Sequence, residues 1–377
     1  MLIYTPPTEA EQLQFLKNIQ RLLNEGSFVA SYKFALLHAL ADLSIIKGND
    51  TGAPLPLAIT DIAEKFIELY WQQARPFNAR HAGFILKQNT GAQAAIVNRL
   101  AEAHKESGGA LYQYRKDKAA WNGLMRSVAN VVRVMPLWKL QTVGTEQFTF
   151  LYDESDDRLG IKLKPGVAYC FRTFYPMLCN LFRSAWIDYV RRFNTESLGH
   201  ITDLREFMFG GERIALTHCI PLIQEIQNNR CLYCAKELTG TPDVDHFIPW
   251  SRCRSDLAHN LVLAHKGCNA AKSDYLACED HLQAWTTRNR NRIGATDSLF
   301  DKGAQPHDLN VSERIAQWAY SQTEQVHGQV WIVRKSFKVL DSTWRNLMRE
   351  LVEVKSRLPE GGEWRKRTAQ CHQPTLE

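Results

Sequence analysis

Two pairs of metal-binding side chains constrain this sequence more than any other feature. Cys231 and Cys234 are separated by two residues, and His265 and Cys268 repeat that spacing downstream. Each pair can span a tight turn to reach one ion, with sulfur at about 2.3 Å, and thiolate and imidazole are ligands that zinc takes in tetrahedral sites. Because four protein ligands leave no open position for water, the pattern predicts a structural zinc ion.

The alternative is that His265 is an ordinary surface histidine and that the cysteines are buried thiols. Two independent pairs that flank one compact segment disfavour this alternative. Four of the nine cysteines fall between residues 231 and 268, and in a reducing cytoplasm such clustering indicates metal rather than disulfides. Cys253 and Cys278 have no partner at this spacing and are expected to be packed or free.

Charge and hydropathy narrow the class of protein. The chain of 377 residues is 45% hydrophobic, as globular proteins are, and its formal net charge of +6 favours a polyanionic partner. Its first residues lack the basic start and apolar core of a signal peptide, and no apolar run approaches the roughly 20 residues that span a bilayer. We therefore expect a soluble, cytoplasmic protein without membrane insertion.

The segment between the two pairs contains residues suited to phosphodiester cleavage, which requires a base for water and a cation for the charge on phosphate. His246 suits the base, because imidazole titrates near neutral pH. Asp245 precedes it on a predicted strand, so its carboxylate points to the opposite side and can bind metal. Asn269, in the first turn of a predicted helix, offers an amide oxygen that suits a hard ion such as Mg²⁺.

The order CxxC, DHxxPxSR, NLVL and CNxxKSD resembles the HNH endonuclease family of the ββα-metal superfamily, over about 44 residues from Cys231 to Asp274. The resemblance implies that Asp245 and Asn269 hold Mg²⁺ or Mn²⁺ and that His246 is the general base. It also implies that Asn260, the middle asparagine, braces the loop that carries His246. The third letter of HNH is often histidine, and asparagine is also met there in active members.

Basic residues near this motif are candidates for substrate binding. Arg252 and Lys272 could grip a phosphate, although each could equally be an ordinary surface cation. Lys272 lies one helical turn beyond Asn269 and therefore on the same face. The run RNRNR at 288–292 could follow a nucleic-acid backbone or form a solvated charged loop.

The pattern along the chain predicts an α+β protein whose N-terminal region is mostly helical and includes a small sheet. Thr8 and Glu11 form a capping-box pattern, loop residues occupy 48–56, and an aromatic stripe within 165–193 is typical of a core helix. A polar stretch after residue 292 resembles a linker, VWIVRKSF a strand and 341–357 a helix. We predict a helical domain at 1–135, a small β-sheet plus aromatic helix at 136–210, the zinc-stapled ββα nuclease domain at 211–300, and a helical and strand region with a basic tail at 301–377.

These features together predict a metal-dependent DNA endonuclease that cuts double-stranded DNA, as a nickase when monomeric. The family's chemistry implies 5′-phosphate and 3′-hydroxyl products. The alternative is a zinc module that only binds nucleic acid or serves as a scaffold in a larger complex, but such modules usually lose the base or a metal ligand. The N-terminal helices resemble those of bacterial HNH proteins of restriction and phage-defence loci, such as Zorya systems, which implies antiviral defence and protein partners; a repair or mobile-element nuclease would also fit.

Overall fold

The computed structural model describes residues 3–77, 83–154, 159–198, 204–210, 216–291, 293–303 and 305–348. The predicted basic tail, with Arg365, Lys366 and Arg367, lies outside these ranges. So does the second half of the helix predicted at 341–357. Within the described ranges, the helices are too short or too polar to traverse a bilayer.

The chain begins with helices that pack around one buried helix. The Thr8 side chain accepts a hydrogen bond from the backbone of Glu11, whose carboxylate accepts one from the Thr8 backbone, so the predicted capping box is confirmed. The helices up to residue 140 are α1 (Glu9–Glu25), α2 (Tyr32–Lys47), α3 (Ile59–Trp71), α4 (Ala95–Ser107), α5 (Leu111–Lys116), α6 (Lys118–Val134) and α7 (Pro136–Leu140). Helix α2 is buried from Tyr32 to Ile45, which explains why apolar residues occur on all of its faces, among a few buried polar ones.

The small sheet differs from its prediction in two ways: it includes a strand from before residue 136, and the start of the predicted region is helical. Its strands are β1 (Leu55–Ala58), β4 (Tyr152–Glu154) and β5 (Gly160–Leu163), and β5 lies in the middle, antiparallel to both neighbours. A separate short ribbon pairs β2 (Thr142–Val143) with β3 (Glu146–Gln147). The start of the predicted region is helix α7 instead of a strand, because Pro136 occupies its first turn, where a missing N–H costs nothing.

The aromatic segment forms α8 (Val167–Thr173) and α9 (Tyr175–Phe193), and its stripe lies in the core as expected. Phe171, Phe182 and Trp186 have no exposed surface. Both helices pack against α2, and β1 pairs with β5. These contacts connect the predicted domain at 1–135 to the one at 136–210. The division of the chain into four domains stays a prediction. Three short helices follow: α10 (Thr195–Leu198), α11 (Leu204–Phe209) and α12 (Ile220–Ile226).

The cysteine-bearing segment folds as two antiparallel strands and a helix. These are β6 (Asp243–His246), β7 (Leu261–Ala264) and α13 (Lys266–Lys272). The elements that follow are α14 (Glu279–Arg290), α15 (Ile293–Gly303), α16 (Leu309–Gln325), β8 (Gln329–Val333) and β9 (Ser336–Val339).

Two predictions in the C-terminal region were wrong. The polar stretch after residue 292 forms helix α15 up to Gly303 and is not a linker there, because Thr296 and Phe300 are buried and the helix packs against α12 and α14. The predicted strand VWIVRKSF is a hairpin of β8 and β9 that turns at Arg334, whose φ is 49°. Strand β8 also bridges to Ala277, just beyond α13, so the hairpin is attached to the ββα unit.

The end of helix α2 depends on one buried cation, which gives a test of the fold. Arg172 of α8 is 4% exposed, donates to the carbonyls of Ser44, Ile45 and Gly48, and lies 2.6 Å from Asp50. Arg172→Met removes a buried donor from three carbonyls, of which that of Ser44 still accepts from the N–H of Gly48, so we expect the free energy of unfolding in urea to fall by about 2–3 kcal/mol. Arg191→Met is the matched control, because Arg191 is an exposed cation in an exposed pair and should cost below about 0.5 kcal/mol. Equal effects would contradict the capping role.

Candidate active site

The four predicted zinc ligands lie together. The ligand atoms of Cys231, Cys234, His265 and Cys268 are all within 4.8 Å of one another. Nδ1 of His265 faces Sγ of Cys234 at 3.3 Å, while its Nε2 lies 3.0 Å from the carbonyl of Glu237. Donation from Nε2 to that carbonyl leaves the Nδ1 lone pair directed at the thiols, which is the arrangement of a metal-binding imidazole. These side chains could therefore hold a zinc ion.

Local backbone geometry presents the two cysteines of the first pair. Cys231 donates to the carbonyl of Lys236 and accepts from the N–H of Ala235, which turns the chain with a φ of 56°. The turn from Cys231 to Lys236 is called the knuckle below. The N–H of Leu232 donates to the carbonyl of Leu263 and so connects the knuckle to β7. The second pair lies at the start of α13, directly after β7. The knuckle and the helix thus meet at one end of the ββα unit.

Strand β6 separates the other predicted site residues. Asp245 pairs with Val262 and His246 pairs with Leu261 in the antiparallel register. The two side chains have different partners, because Asp245 contacts Tyr233 and Lys272 whereas His246 contacts Asp256. Alternation along the strand therefore places a carboxylate and an imidazole in different surroundings.

Lys272 neutralises Asp245 and does not reach solvent. Its Nζ lies 3.0 Å from Oδ2 of Asp245 and donates to the carbonyl of His246 at 2.9 Å. The side chain has no exposed surface; burial lowers the pKa of Lys272, and the carboxylate of Asp245 opposes that shift. Helical spacing predicted that Lys272 lies on the same face as Asn269, but it did not predict that the Lys272 side chain is buried. The predicted phosphate contact does not fit this burial, since a phosphate cannot approach the ammonium group.

Oxygen-bearing side chains meet where α13 crosses β6. The amide of Asn269 donates to Oδ2 of Asp243 at 3.1 Å, and Asp243 and Asp245 lie on the same face of the strand. Carboxylate and amide oxygens suit a hard divalent cation. Asp243, Asp245 and Asn269 could therefore hold such an ion. Asp243 was not predicted as a site residue, although the alternation Asp-x-Asp before His246 was the available signal.

Asp256 is a second residue that the sequence analysis missed. Its Oδ1 lies 2.8 Å from Nε2 of His246. When neutral imidazole donates from Nε2 to this carboxylate, the lone pair remains at Nδ1, so Asp256 selects the tautomer that can accept a proton there. No motif spacing indicated this pair, because Asp256 lies in the irregular loop 247–257.

Asn260 fastens the start of that loop. Its side chain accepts from the N–H of Ile248 at 2.8 Å and donates to the Ile248 carbonyl at 3.0 Å. Its own carbonyl accepts from the N–H of Phe247. Since Asn260 is 4% exposed, these bonds are shielded from water and hold the residues directly after His246.

Arg252 and Arg288 contact protein groups. Arg252 donates to Oγ1 of Thr323 in α16 at 2.8 Å, and burial lowers its pKa; its predicted contact with phosphate stays a prediction. In the run at 288–292, Arg288 is half-buried in α14 and donates to the carbonyls of Leu261 and His259, and desolvation lowers its pKa to about 9. Neither expectation for this run, a backbone track or a solvated loop, fits Arg288.

The site lies in a segment that is similar to a known protein family. Residues 231–278 match the HNH endonuclease family model. This HNH segment includes both cysteine-bearing pairs and every predicted catalytic residue. No curated protein and no solved structure matched the chain. The HNH match indicates a nuclease that depends on a divalent metal and acts on a nucleic acid.

The two kinds of histidine in the HNH segment can be tested separately. We expect the purified chain to retain zinc through dialysis, and His265→Ala to lose zinc and to unfold at a lower temperature, because zinc binding contributes directly to folding. His246→Ala is the matched control, since His246 lies outside the cluster, and should keep both its zinc and its melting temperature. Elemental analysis and thermal unfolding measure the two properties. Zinc retained in full by His265→Ala would exclude this ligand set.

Proposed function

We propose that this protein is a metal-dependent endonuclease that hydrolyses phosphodiester bonds in double-stranded DNA. The observation that carries the proposal is the arrangement at β6, where metal-type oxygens and an oriented imidazole lie on adjacent residues. The HNH match supports the nuclease class.

His246 acts as the general base in this proposal. Its Nδ1 takes the proton of the attacking water while Asp256 holds Nε2 and stabilises the imidazolium that forms. Asn260 keeps the adjacent loop from shifting the ring. Each of these residues therefore contributes to the position of a single proton acceptor.

Asp245 and Asn269 are the proposed ligands of Mg²⁺ or Mn²⁺, with Asp243 beside them. A divalent cation at this place supplies positive charge for the charge that develops on the phosphate. Lys272 and Tyr233 both contact Oδ2 of Asp245, so Oδ1 would be the oxygen left to bind an ion. Zinc at the cysteine cluster has a separate, structural role, because its four ligands close the site.

The described residues contain one such arrangement of base and metal ligands, which supports cleavage of one strand per visit. A double-strand break then requires a second visit or a second copy of the chain. The resemblance of the N-terminal helices to those of defence and restriction proteins supports a role in antiviral defence with protein partners. The proposed target is therefore foreign DNA.

Plasmid cleavage tests the base. His246→Ala should lower the rate of nicking supercoiled plasmid by roughly 10²–10⁴-fold, because general-base catalysis contributes about that much. EDTA should abolish cleavage by wild type, and nicked circles should precede linear product. His327→Asn is the control, since His327 is exposed and asparagine tolerates its positive φ of 50°. DNA binding without any cleavage by Mg²⁺-supplied wild type would instead support the non-catalytic scaffold.

Asp256 gives an independent test of how His246 is oriented. Asp256→Ala should lower kcat by roughly 10–100-fold, by analogy with the loss seen when the hydrogen-bond partner of a metal-bound histidine is removed. Asp256→Asn should recover part of this loss, because the amide oxygen still accepts from Nε2. Asp188→Asn, at an exposed carboxylate in α9, should leave kcat unchanged. Rates of nicking at saturating DNA would show the order wild type, Asn, Ala; equal rates for all three would refute the positioning role.

A further inference from the structure

Tyr233 physically joins the cysteine cluster to the catalytic strand. It lies between Cys231 and Cys234 in the sequence, and its hydroxyl donates a hydrogen bond to Oδ2 of Asp245. One residue therefore belongs to the turn that presents two zinc ligands and also contacts a proposed ligand of the catalytic metal.

The ring of Tyr233 is held on several sides. It is 7% exposed and makes edge contacts with Trp331, at 5.3 Å between ring centroids, and with His281, at 5.4 Å. The Nζ of Lys272 lies 5.9 Å from the ring centroid. Because these contacts leave the ring little freedom, the place of its hydroxyl follows the place of the knuckle backbone.

The hydroxyl in turn restricts Asp245. Oδ2 of Asp245 receives the Tyr233 hydroxyl and the Lys272 ammonium together, and two donors on one oxygen fix the rotation of the carboxylate. Hydrogen bonds to a charged group are stronger than those between neutral groups. If the hydroxyl moved away, Lys272 alone would hold the carboxylate, and Oδ1 would be less well directed.

We propose that Tyr233 is a positioning residue that couples zinc in the cysteine cluster to binding of the divalent cation at Asp245. Zinc fixes the knuckle, the knuckle fixes the ring, and the ring hydroxyl fixes the carboxylate. Coupling between two binding sites is reciprocal, so the divalent cation should also strengthen zinc binding. The inference rests on the proposed nuclease function only for the identity of Asp245 as a metal ligand.

Tyr233→Phe in the full chain removes the hydroxyl and keeps the packed ring. We expect unchanged zinc content and circular dichroism, and Mn²⁺ binding weakened roughly tenfold, as loss of a hydrogen bond to a charged group implies. Mn²⁺ affinity is measured by electron paramagnetic resonance and does not require cleavage, so a chain without nuclease activity would still give the result. Tyr275→Phe is the matched control, because Tyr275 is 44% exposed and packs on Phe337. Equal Mn²⁺ affinity in wild type and Tyr233→Phe would overturn the proposal.

The effect of Mg²⁺ on zinc affinity provides a second measurement. It would not change in Tyr233→Phe if Tyr233 only stabilised the fold. Zinc is competed from each protein with a chromophoric chelator, with and without saturating Mg²⁺. Mg²⁺ should raise zinc affinity in wild type and in Tyr275→Phe, and the increase should be lost in Tyr233→Phe. A zinc affinity in wild type that is indifferent to Mg²⁺ would overturn the coupling without reference to any variant.

Discussion

The buried ammonium group of Lys272 requires a negative partner where it lies, because an unpaired charge in a protein interior is strongly destabilising. Asp245 supplies that partner at 3.0 Å, and the carbonyl of His246 accepts a further hydrogen bond. Helix α13 is thereby fixed against β6, with Asn269 beside Asp243 one turn earlier. The relative position of strand and helix, on which the proposed metal site depends, follows from this one pair.

Outside the ββα unit, the N-terminal helices approach the site through loop 247–257. Asp256, Trp250 and Arg254 line a cavity of about 340 Å³ together with residues of α2, α3 and α5. The guanidinium of Arg254 lies over the Trp250 ring, 4.3 Å from its centroid. Because Asp256 also binds His246, the helical region and the proposed base share a loop. The region before residue 231 is thus part of the surroundings of the site.

The sequence predicted the site residues that belong to short motifs. It did not predict features that depend on pairing between distant segments or on how deeply a side chain is buried. The spacing of Cys231, Cys234, His265 and Cys268 was sufficient to group them, because each pair spans a local turn. Strand β1 was not predicted, because its partner β5 lies about a hundred residues downstream and its four residues have no distinctive local pattern. Lys272 is an example in which burial could not be predicted. Helical periodicity indicates the face of the helix on which a residue lies, but its burial depends on which other elements pack against that face. Asp256 could not be predicted either, since a loop residue has no periodicity.

The two proposed metal sites lie within residues 231–278, and their donor atoms keep them distinct. Sulfur and imidazole select zinc, whereas carboxylate and amide oxygens select Mg²⁺ or Mn²⁺. A histidine between them could be captured by either ion and lost as a base. His246 avoids this because strand alternation turns it away from Asp245, and because Asp256 engages Nε2. Its Nδ1 is then available for a proton, so the alternation of β6 is what lets the proposed base and a proposed metal ligand occupy consecutive residues.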